Sequence, residues 1–508
     1  MKADLILAGG VVRTLGPGGL KTCTHLAVAG GRVQAAGGAE LMGLHGPRTR
    51  VVELHGAAVM PGFNDAHAHV VYYGLTRFGA DLGPATDVAD IVARLRAHGR
   101  RLKSGKWQQG MGYRASALAE KRPPHRLELD EATGSRPAFI DERGGHSRVA
   151  NSAALRAAGI TASTPDPPGG RIGRDPDGTP NGLLQEAAMR TVADVQPLPG
   201  RKRRSQAIRL AQKLLLSRGI TSVGAAVNRG FADDLFCYER LAMDGELRIR
   251  VNEFLSWELL EAASSLGVHA GFGGDVVRAG PVKVFVDGGA ERVVMRTGGG
   301  IWRTPPDELK TLVQRASDAG LQVAAHAIGD GAIEAMCDAV QAAGARGLRH
   351  RVEHCTICPP DLRRRLARLS MAAVMQPLAV QAPRIAPGVF PQVARRDFAP
   401  HRALLRAGVH IAFSSDLPVT PDPNPWAGIR TAVEDDVNGI SVLEALRAYT
   451  AGGAYASFEE AVKGTLEPGM LADLQVYAAD PLARPQAGWD RLRPQAVLLG
   501  GAVVSGSL

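Results

Sequence analysis

The stretch that decides the fold of this chain is Met60-Pro61-Gly62-Phe63-Asn64-Asp65-Ala66-His67-Ala68-His69. The short apolar run Ala57-Ala58-Val59-Met60 predicts a β-strand, with the histidine pair at its carboxyl end. In a strand, residues i and i+2 point to the same side, so His67 and His69 can direct both imidazoles at one point. Two histidines arranged in this way are typical of a site that binds a divalent metal.

The composition of the 508-residue chain is that of a globular protein, with 45% hydrophobic and 22% charged residues. Its five cysteines are an odd number at irregular spacing, which favours a reducing compartment over a disulfide framework. The sequence contains no signal-peptide core and no apolar stretch long enough to cross a membrane. We therefore expect a cytoplasmic protein without a membrane partner.

The net charge of +10 includes one dense basic run, Arg201-Lys202-Arg203-Arg204. A nucleic-acid patch would give such a run, but no aromatic residues interleave with it and no nucleic-acid motif accompanies it. We interpret the run as the solvated start of a helix that continues from Ser205 to Arg218, and we expect no nucleic-acid partner.

Short apolar, β-branched runs alternate with amphipathic helical stretches through the middle of the chain, which indicates a parallel α/β fold. Helices are predicted from Asp307 to about Ala319 and, after a Ser441 cap, to about Tyr449. Together with the first strand, eight strands with intervening helices predict a (β/α)8 barrel. The other seven predicted strands are Gly219–Val223, Arg248–Asn252, Pro281–Asp287, Leu321–His326, Arg349–His354, Met371–Met375 and Val409–Asp416.

Polar side chains coincide with the ends of several of these strands, where (β/α)8 barrels carry their chemistry. Chance placement would scatter such residues along the chain. Their coincidence predicts a metal-dependent hydrolase. The residues are His67 and His69 on the first strand, Lys283 in the fourth, His326 on the fifth, His354 on the sixth and Asp416 on the eighth.

Two segments fall outside the predicted barrel of residues 57–462. Residues 1–56 and 463–508 both consist of short strands and glycine turns, so we expect them to pair into one small β-sandwich. A long insertion, residues 72–210, follows the first barrel strand and must carry its own structure. We expect it to form a lid or substrate-binding subdomain.

Several motifs resemble those of the amidohydrolase superfamily, and of amidohydrolase family 3 in particular, the branch that includes N-substituted formamide deformylases. The resemblance covers essentially the whole chain. Two segments depart from the usual pattern: Gly144 stands where the family often has Asp, and Gly289 where it commonly has Ser. Both are expected to approach the substrate. The motifs are Pro61–His69, Gly145-His146 with Asn151–Leu155, Val282–Gly288, His326–Asp330, Arg349–His354, Ser414–Val419 and Gly464–Asp473.

The resemblance implies one or two bound metal ions, which the imidazole ligands suit to Zn²⁺. In relatives with two metals, the fourth-strand lysine reacts with CO2 to give a carbamate that bridges them, and this binuclear form is favoured here. The alternative for Lys283 is an ordinary lysine that pairs with Asp287 or contacts substrate. The implied metal ligands are His67, His69, Lys283, His326, His354 and Asp416.

Asp416 is the candidate general base and acid, which takes a proton from a metal-activated water and returns it to the leaving nitrogen. The alternative is a structural helix cap before Pro418. His146 of the insertion is a candidate to hold a substrate oxygen, with a structural role as the alternative. The Cys355-Thr356-Ile357-Cys358 segment lacks a second cysteine pair, and we assign it to packing.

The leading hypothesis is a metal-dependent hydrolase that cleaves the C–N bond of a small amide of the N-formyl or N-acyl amine class. A cyclic-amide hydrolase and an aminohydrolase on the same barrel are the enzymatic alternatives. A non-catalytic scaffold is the third, against which the intact set of ligand positions argues. The oligomeric state stays open, a homodimer included.

Overall fold

A computed structural model describes residues 1–103, 105–227, 231–289, 292–380, 390 and 392–508. Its centre is an eight-stranded parallel sheet in which the strands follow each other in chain order. This confirms the predicted (β/α)8 barrel. Its strands are β1 (Phe63–Ala68), β2 (Ile220–Ala225), β3 (Arg250–Ser256), β4 (Val277–Phe285), β5 (Val323–Ala327), β6 (Arg351–His354), β7 (Ala372–Met375) and β8 (His410–Phe413).

Nearly every side chain of these strands is buried, as expected when helices cover one face of a parallel sheet and the other face lines a barrel. The sheet closes between its first and last strands through backbone hydrogen bonds. Asp416 N–H donates to the His67 carbonyl at 2.9 Å, and His69 N–H donates to the Leu417 carbonyl at 2.8 Å. The seam of the barrel therefore lies at the metal-ligand candidates themselves.

Our expectation that residues 57–60 form the first barrel strand is wrong. Ala58–Pro61 pairs with Val11–Arg13 and Leu474–Tyr477 in a separate sheet, so the barrel begins at Phe63 rather than at residue 57. The change of sheet occurs at Gly62. A Cβ at this position would lie 2.1 Å from Thr221 Oγ1, so only glycine allows the chain to pass this close to β2.

The chain termini form two sheets that pack face to face, which confirms the predicted sandwich. One sheet has four strands, the other has six, and a separate apolar core that includes Leu7 and Leu474 lies between them. The four-stranded sheet contains Arg32–Gly37, His25–Ala29, Leu5–Ala8 and Arg50–Glu53. The six-stranded sheet contains Ala502–Gly506, Ala496–Leu499, Leu474–Tyr477, Ala58–Pro61, Val11–Arg13 and Thr22–Cys23.

The insertion after β1 has its own six-stranded mixed sheet and its own apolar cores. Both ends of the predicted 72–210 segment, however, are helices that pack against each other on the barrel, Val70–Thr76 and Arg201–Ser217. The sheet contains Gly170–Arg174, Pro180–Glu186, Ser147–Ala150, Ala138–Glu142, Gln108–Tyr113 and Ala80–Asp81. Its helices are Val88–Gly99, Arg126–Thr133, Ser152–Ala157 and Met189–Val195.

Helices follow the barrel strands from β2 onward, and two of them, Pro306–Asp318 and Val442–Ala448, have bounds close to those predicted. Ser441 caps its helix with a reciprocal bond to Glu444, as the sequence pattern predicts. These helices are Phe231–Met243, Leu260–Ser265, Pro306–Asp318, Asp330–Ala343, Pro360–Arg368, Pro377–Val380, His401–Arg406, Pro425–Val433, Val442–Ala448 and Ala451–Ala456. In the part of the chain that the structure describes, no helix has the length and apolar character of a membrane span.

The basic run and the cysteines take structural positions. The run opens the helix Arg201–Ser217, as predicted, but Arg204 is buried in an ion pair with Asp234, so only part of the run is solvated. Cys355 and Cys358 are both buried in the main core, as packing residues would be.

Candidate metal centre

His67 has one ring nitrogen bound to the protein and the other without a partner. Its Nδ1 donates a hydrogen bond to Glu353 Oε2 at 2.5 Å, and Glu353 is in turn held by Arg351. This bond fixes the tautomer of His67 and leaves Nε2 as an acceptor. Nε2 is buried without a hydrogen-bond partner among the described residues, and burial lowers the pKa of His67 to about 3. A neutral imidazole with a buried free nitrogen suits a metal ligand.

Asp416 completes a compact group with the two histidines of β1. Its Oδ1 lies 3.6 Å from His67 Nε2 and 3.4 Å from His69 Nε2, and the three ligand atoms lie within 4.8 Å of one another. Burial raises the pKa of Asp416, but the hydrogen bond with His69 and the proximity of the other imidazoles outweigh it, so the pKa lies well below its ordinary value. The carboxylate is therefore ionised, as a metal ligand must be.

His326 and His354 lie beside this group. Their ring centroids are 4.4 Å apart, and the ring of His354 is 5.6 Å from that of His67. His354 Nδ1 donates to Gln376 Oε1 at 2.8 Å, which leaves its other nitrogen free. Burial lowers the pKa of both residues, so both are neutral. The structure thus brings the four predicted histidines to one end of the barrel.

Lys283 lies in β4 and is 2% exposed. Burial lowers the pKa of its ammonium group to about 8, although Glu353 and Asp416 both favour the charged form. The expected alternative partner, Asp287, accepts hydrogen bonds from the backbone N–H groups of Val294, Ile328 and Gly329 at 2.9–3.1 Å. Asp287 is therefore stabilised by backbone hydrogen bonds, and its burial does not require an ion pair with Lys283.

His146 comes from the insertion and reaches the same end of the barrel. Its ring centroid lies 5.3 Å from that of His326. Its Nδ1 donates to Glu186 Oε2 at 2.9 Å, and Glu186 also accepts from Arg292 Nε at 2.8 Å and from Gly289 N–H at 3.2 Å. These donors outweigh burial and hold the pKa of Glu186 at about 2. The insertion therefore reaches the metal-ligand end of the barrel through His146 and Glu186, and its role as a lid stays a prediction.

The sequence reasoning missed the residues that orient the ligands. Asp65 accepts bonds from Ser415 and so ties the end of β1 to the chain after β8. Arg351 and Glu353 alternate along β6, and two buried charges of opposite sign on one side of a barrel strand were the available signal. Gln376 and Glu186 gave no such signal, because neither stands in a recognisable pattern.

The donor set fits a bound divalent metal. Imidazole and carboxylate groups are ordinary Zn²⁺ ligands. A buried nitrogen without a hydrogen-bond partner, such as His67 Nε2 among the described residues, destabilises the fold unless a ligand or metal binds it. A cavity of about 990 Å³ lies elsewhere, against His410 and Arg447 at the amino end of the barrel. None of the candidate residues lines it, so the chemistry of the donor set locates the site better than cavity size does.

Histidines and an aspartate at the carboxyl ends of barrel strands define this molecule as a metal-dependent hydrolase. Residues 50–505 match the amidohydrolase family, and the chain belongs to that family. Its members hydrolyse C–N bonds, which agrees with the prediction.

Three similar proteins illustrate this placement. The chain is 29% identical to an N-substituted formamide deformylase of Arthrobacter pascens, over 94% of each sequence. It resembles the structure of an uncharacterised metal-dependent hydrolase from Pyrococcus horikoshii OT3, with a TM-score of 0.77 and 25% identity, over 95% of this chain and 99% of that one. A second such hydrolase, from Pyrococcus furiosus, gives a TM-score of 0.74 and 28% identity, over 94% and 99%.

Proposed function

We propose that this enzyme hydrolyses the C–N bond of a small N-formyl or N-acyl amine with a metal-activated water. The observation that carries the proposal is the buried, unpartnered Nε2 of His67 beside His69 and Asp416. The similarity to a formamide deformylase supports the substrate class.

In this proposal the metal would be held by His67, His69 and Asp416, and a second ion by His326 and His354. When bound, Zn²⁺ lowers the pKa of a water molecule to about 7 and polarises the substrate carbonyl. Asp416 accepts the proton of the water and passes it to the leaving nitrogen. The distances of 3.4 and 3.6 Å from its Oδ1 to the two imidazoles support this role.

Lys283 has a separate role in the proposal. Its neutral amine and CO2 form a carbamate, with one new N–C bond and the release of one proton, and the product is an anionic ligand for two metals. The lowered pKa, about 8, supports this reaction because it raises the fraction of the nucleophilic neutral amine. Burial supports it as well, since a buried ammonium group is costly near a dication.

His146 would hydrogen-bond an oxygen of the substrate through Nε2. Its Nδ1 proton is donated to the Glu186 carboxylate, so Nε2 can donate to a substrate oxygen when the ring carries a proton on that nitrogen too, a form that the charge of Glu186 favours. The role is one of orientation, since His146 comes from the insertion and not from the barrel strands.

The test is a substrate panel of N-formyl amines, N-acyl amines, cyclic amides and amino-substituted heteroaromatics with zinc-loaded protein, scored by release of amine or ammonia. We expect amine release from the first two classes, and a loss of about 10²–10⁴-fold in kcat for Asp416→Asn. Asp307→Asn, at a fully exposed side chain, is the matched control. Preferential ammonia release or ring opening would replace the proposal with the aminohydrolase or the cyclic-amide hydrolase.

A further inference from the structure

Arg303 lies beside the candidate metal centre and is not one of the candidate ligands. Its backbone N–H donates to the carbonyl of Val286, just past the end of β4, at 2.9 Å. Its guanidinium carbon lies 4.2 Å from the centroid of the Phe285 ring. The same ring lies 4.8 Å from Lys283 Nζ and 5.4 Å from the ring of His326. Arg303 and two candidate ligands thus share one aromatic neighbour.

The charge of Arg303 is poorly compensated by the protein. Among the described residues its nearest carboxylate is Glu186, at 3.8 Å from Nη1, which is too long for a hydrogen bond. Glu186 already accepts from His146, Arg292 and Gly289, so one carboxylate faces two guanidinium groups and an imidazole. Burial lowers the pKa of Arg303 and nearby Arg190 adds to this effect, while Glu186 opposes it.

Part of the Arg303 side chain is accessible to a ligand. About a quarter of the side chain is exposed, 26%, whereas Glu186 is fully buried below it. A guanidinium group presents its N–H donors in a planar fork that matches a carboxylate. A partly buried cation that has no hydrogen-bonded anion among the described residues is unfavourable, and an anionic ligand would reduce this penalty.

We propose that Arg303 binds a carboxylate of the substrate, so that the enzyme acts on N-formyl or N-acyl amides that carry a carboxylate group. This inference rests on the proposed function of the site and names the substrate class more closely. With the carboxylate bound at Arg303, the amide bond would lie toward Lys283 and His326, which share the Phe285 ring with Arg303.

The test compares matched pairs of substrates on zinc-loaded enzyme. N-formyl and N-acetyl amino acids are measured beside their neutral methyl esters, and N-succinyl amines beside N-pentanoyl amines. We expect kcat/KM to favour the acids, and Arg303→Met to reduce the ratio of acid to neutral substrate by about 10- to 100-fold, mainly through KM. Arg303→Lys, which keeps the charge and loses the fork, should reduce it less.

Arg296→Met is the matched control. Arg296 has a similarly exposed side chain, 28%, but is paired with Glu334 and Asp361 at 2.7 Å. We expect this variant to keep the acid-to-neutral ratio of the wild type. Circular dichroism of each variant checks that the fold is intact, and the Lys variant serves if the Met variant does not fold.

Equal kcat/KM values for acids and neutral partners in the wild type would overturn the inference, as would an unchanged preference in Arg303→Met. Calorimetric titration of zinc-loaded protein with the same acids separates this result from failure of the proposed function. Arg303-dependent binding without hydrolysis would overturn the amide hydrolase and keep the carboxylate site. Hydrolysis of neutral amides without Arg303-dependent binding would do the reverse.

Discussion

At the scale of single residues, hydrogen bonds within the protein fix the orientation of two imidazoles without any metal. His67 Nδ1 donates a hydrogen bond to Glu353, and His354 Nδ1 donates one to Gln376. Nε2 of each ring therefore remains available to a metal. Such outer partners set ring orientation and raise ligand basicity. The order within the site is therefore a property of the folded chain.

The ligand candidates could be predicted from the sequence, but their partners could not. His67, His326, His354 and Asp416 stand at strand ends, and strand ends in a parallel barrel meet at one rim. Glu353 contacts His67 across 286 positions of sequence, so no local pattern relates them. Partners of this kind depend on which strands adjoin and in what register.

The first prediction concerns Lys283. We expect Lys283→Ala to lower the bound metal from two ions toward one and to reduce kcat by about 100-fold, because a bridging anion is lost. Elemental analysis and steady-state kinetics measure both effects. Short carboxylates added to the variant should restore part of the activity by occupying the vacated position.

Lys310→Ala is the control for this variant, since Lys310 lies on an outer helix with a half-exposed side chain. Mass spectrometry of the intact wild type gives a separate check on the carbamate. One tightly bound metal with an unmodified Lys283 would refute the binuclear form, and the mononuclear form with Asp416 as base would remain.

At the scale of elements, the barrel strands were predicted well because each is a short run rich in apolar residues, and several carry a polar residue at or just after the carboxyl end. The strand at residues 57–60 was assigned to the wrong sheet, since an apolar run does not show which neighbour it pairs with. Ala58–Pro61 and β1 are separated by a single residue, Gly62, and the sequence alone gives no reason to divide them.

The second prediction concerns contact between the insertion and the barrel. A Cβ on Gly289 would lie 2.3 Å from His146 Cδ2, so Gly289→Ala should displace the His146 ring from its place beside His326. We expect kcat/KM to fall by about 10- to 100-fold, with metal content unchanged, because His146 orients substrate and does not hold metal.

Gly347→Ala is the matched control, because a Cβ there would lie within 4 Å of no described atom. Its kinetics should stay close to those of the wild type. A loss of metal in Gly289→Ala, or equal effects of the two substitutions, would contradict the assigned role of His146.

At the scale of the whole molecule, the third prediction is a dependence of stability on pH. Burial lowers the pKa of His350 from 6.5 to about 4, and its Nδ1 accepts a hydrogen bond from Val323 N–H between β5 and β6. The unfolded chain therefore takes up a proton more readily than the folded chain between these values. The stabilisation is complete above pH 6.5 and is lost as the pH falls toward 4.

The free energy of unfolding should fall between pH 7 and pH 5 in the wild type. We expect this fall to be smaller in His350→Gln by on the order of 2 kcal/mol. Glutamine can accept the same bond without titrating. Denaturant unfolding at the two pH values measures the difference, and His269→Gln, at an exposed histidine, is the control. An unchanged pH dependence in His350→Gln would show that another group is responsible.

The strand Ala58–Pro61, which leads directly into β1, lies between Val11–Arg13 and Leu474–Tyr477 in its sheet. During synthesis, Val11–Arg13 leaves the ribosome before the barrel strands, whereas Leu474–Tyr477 leaves it after all eight of them. Folding during synthesis proceeds from the amino end, so the segment that holds His67 waits for almost the last part of the chain. We therefore expect metal binding to require Leu474–Tyr477, and a ribosome-bound fragment that ends before Leu474 should bind Zn²⁺ poorly.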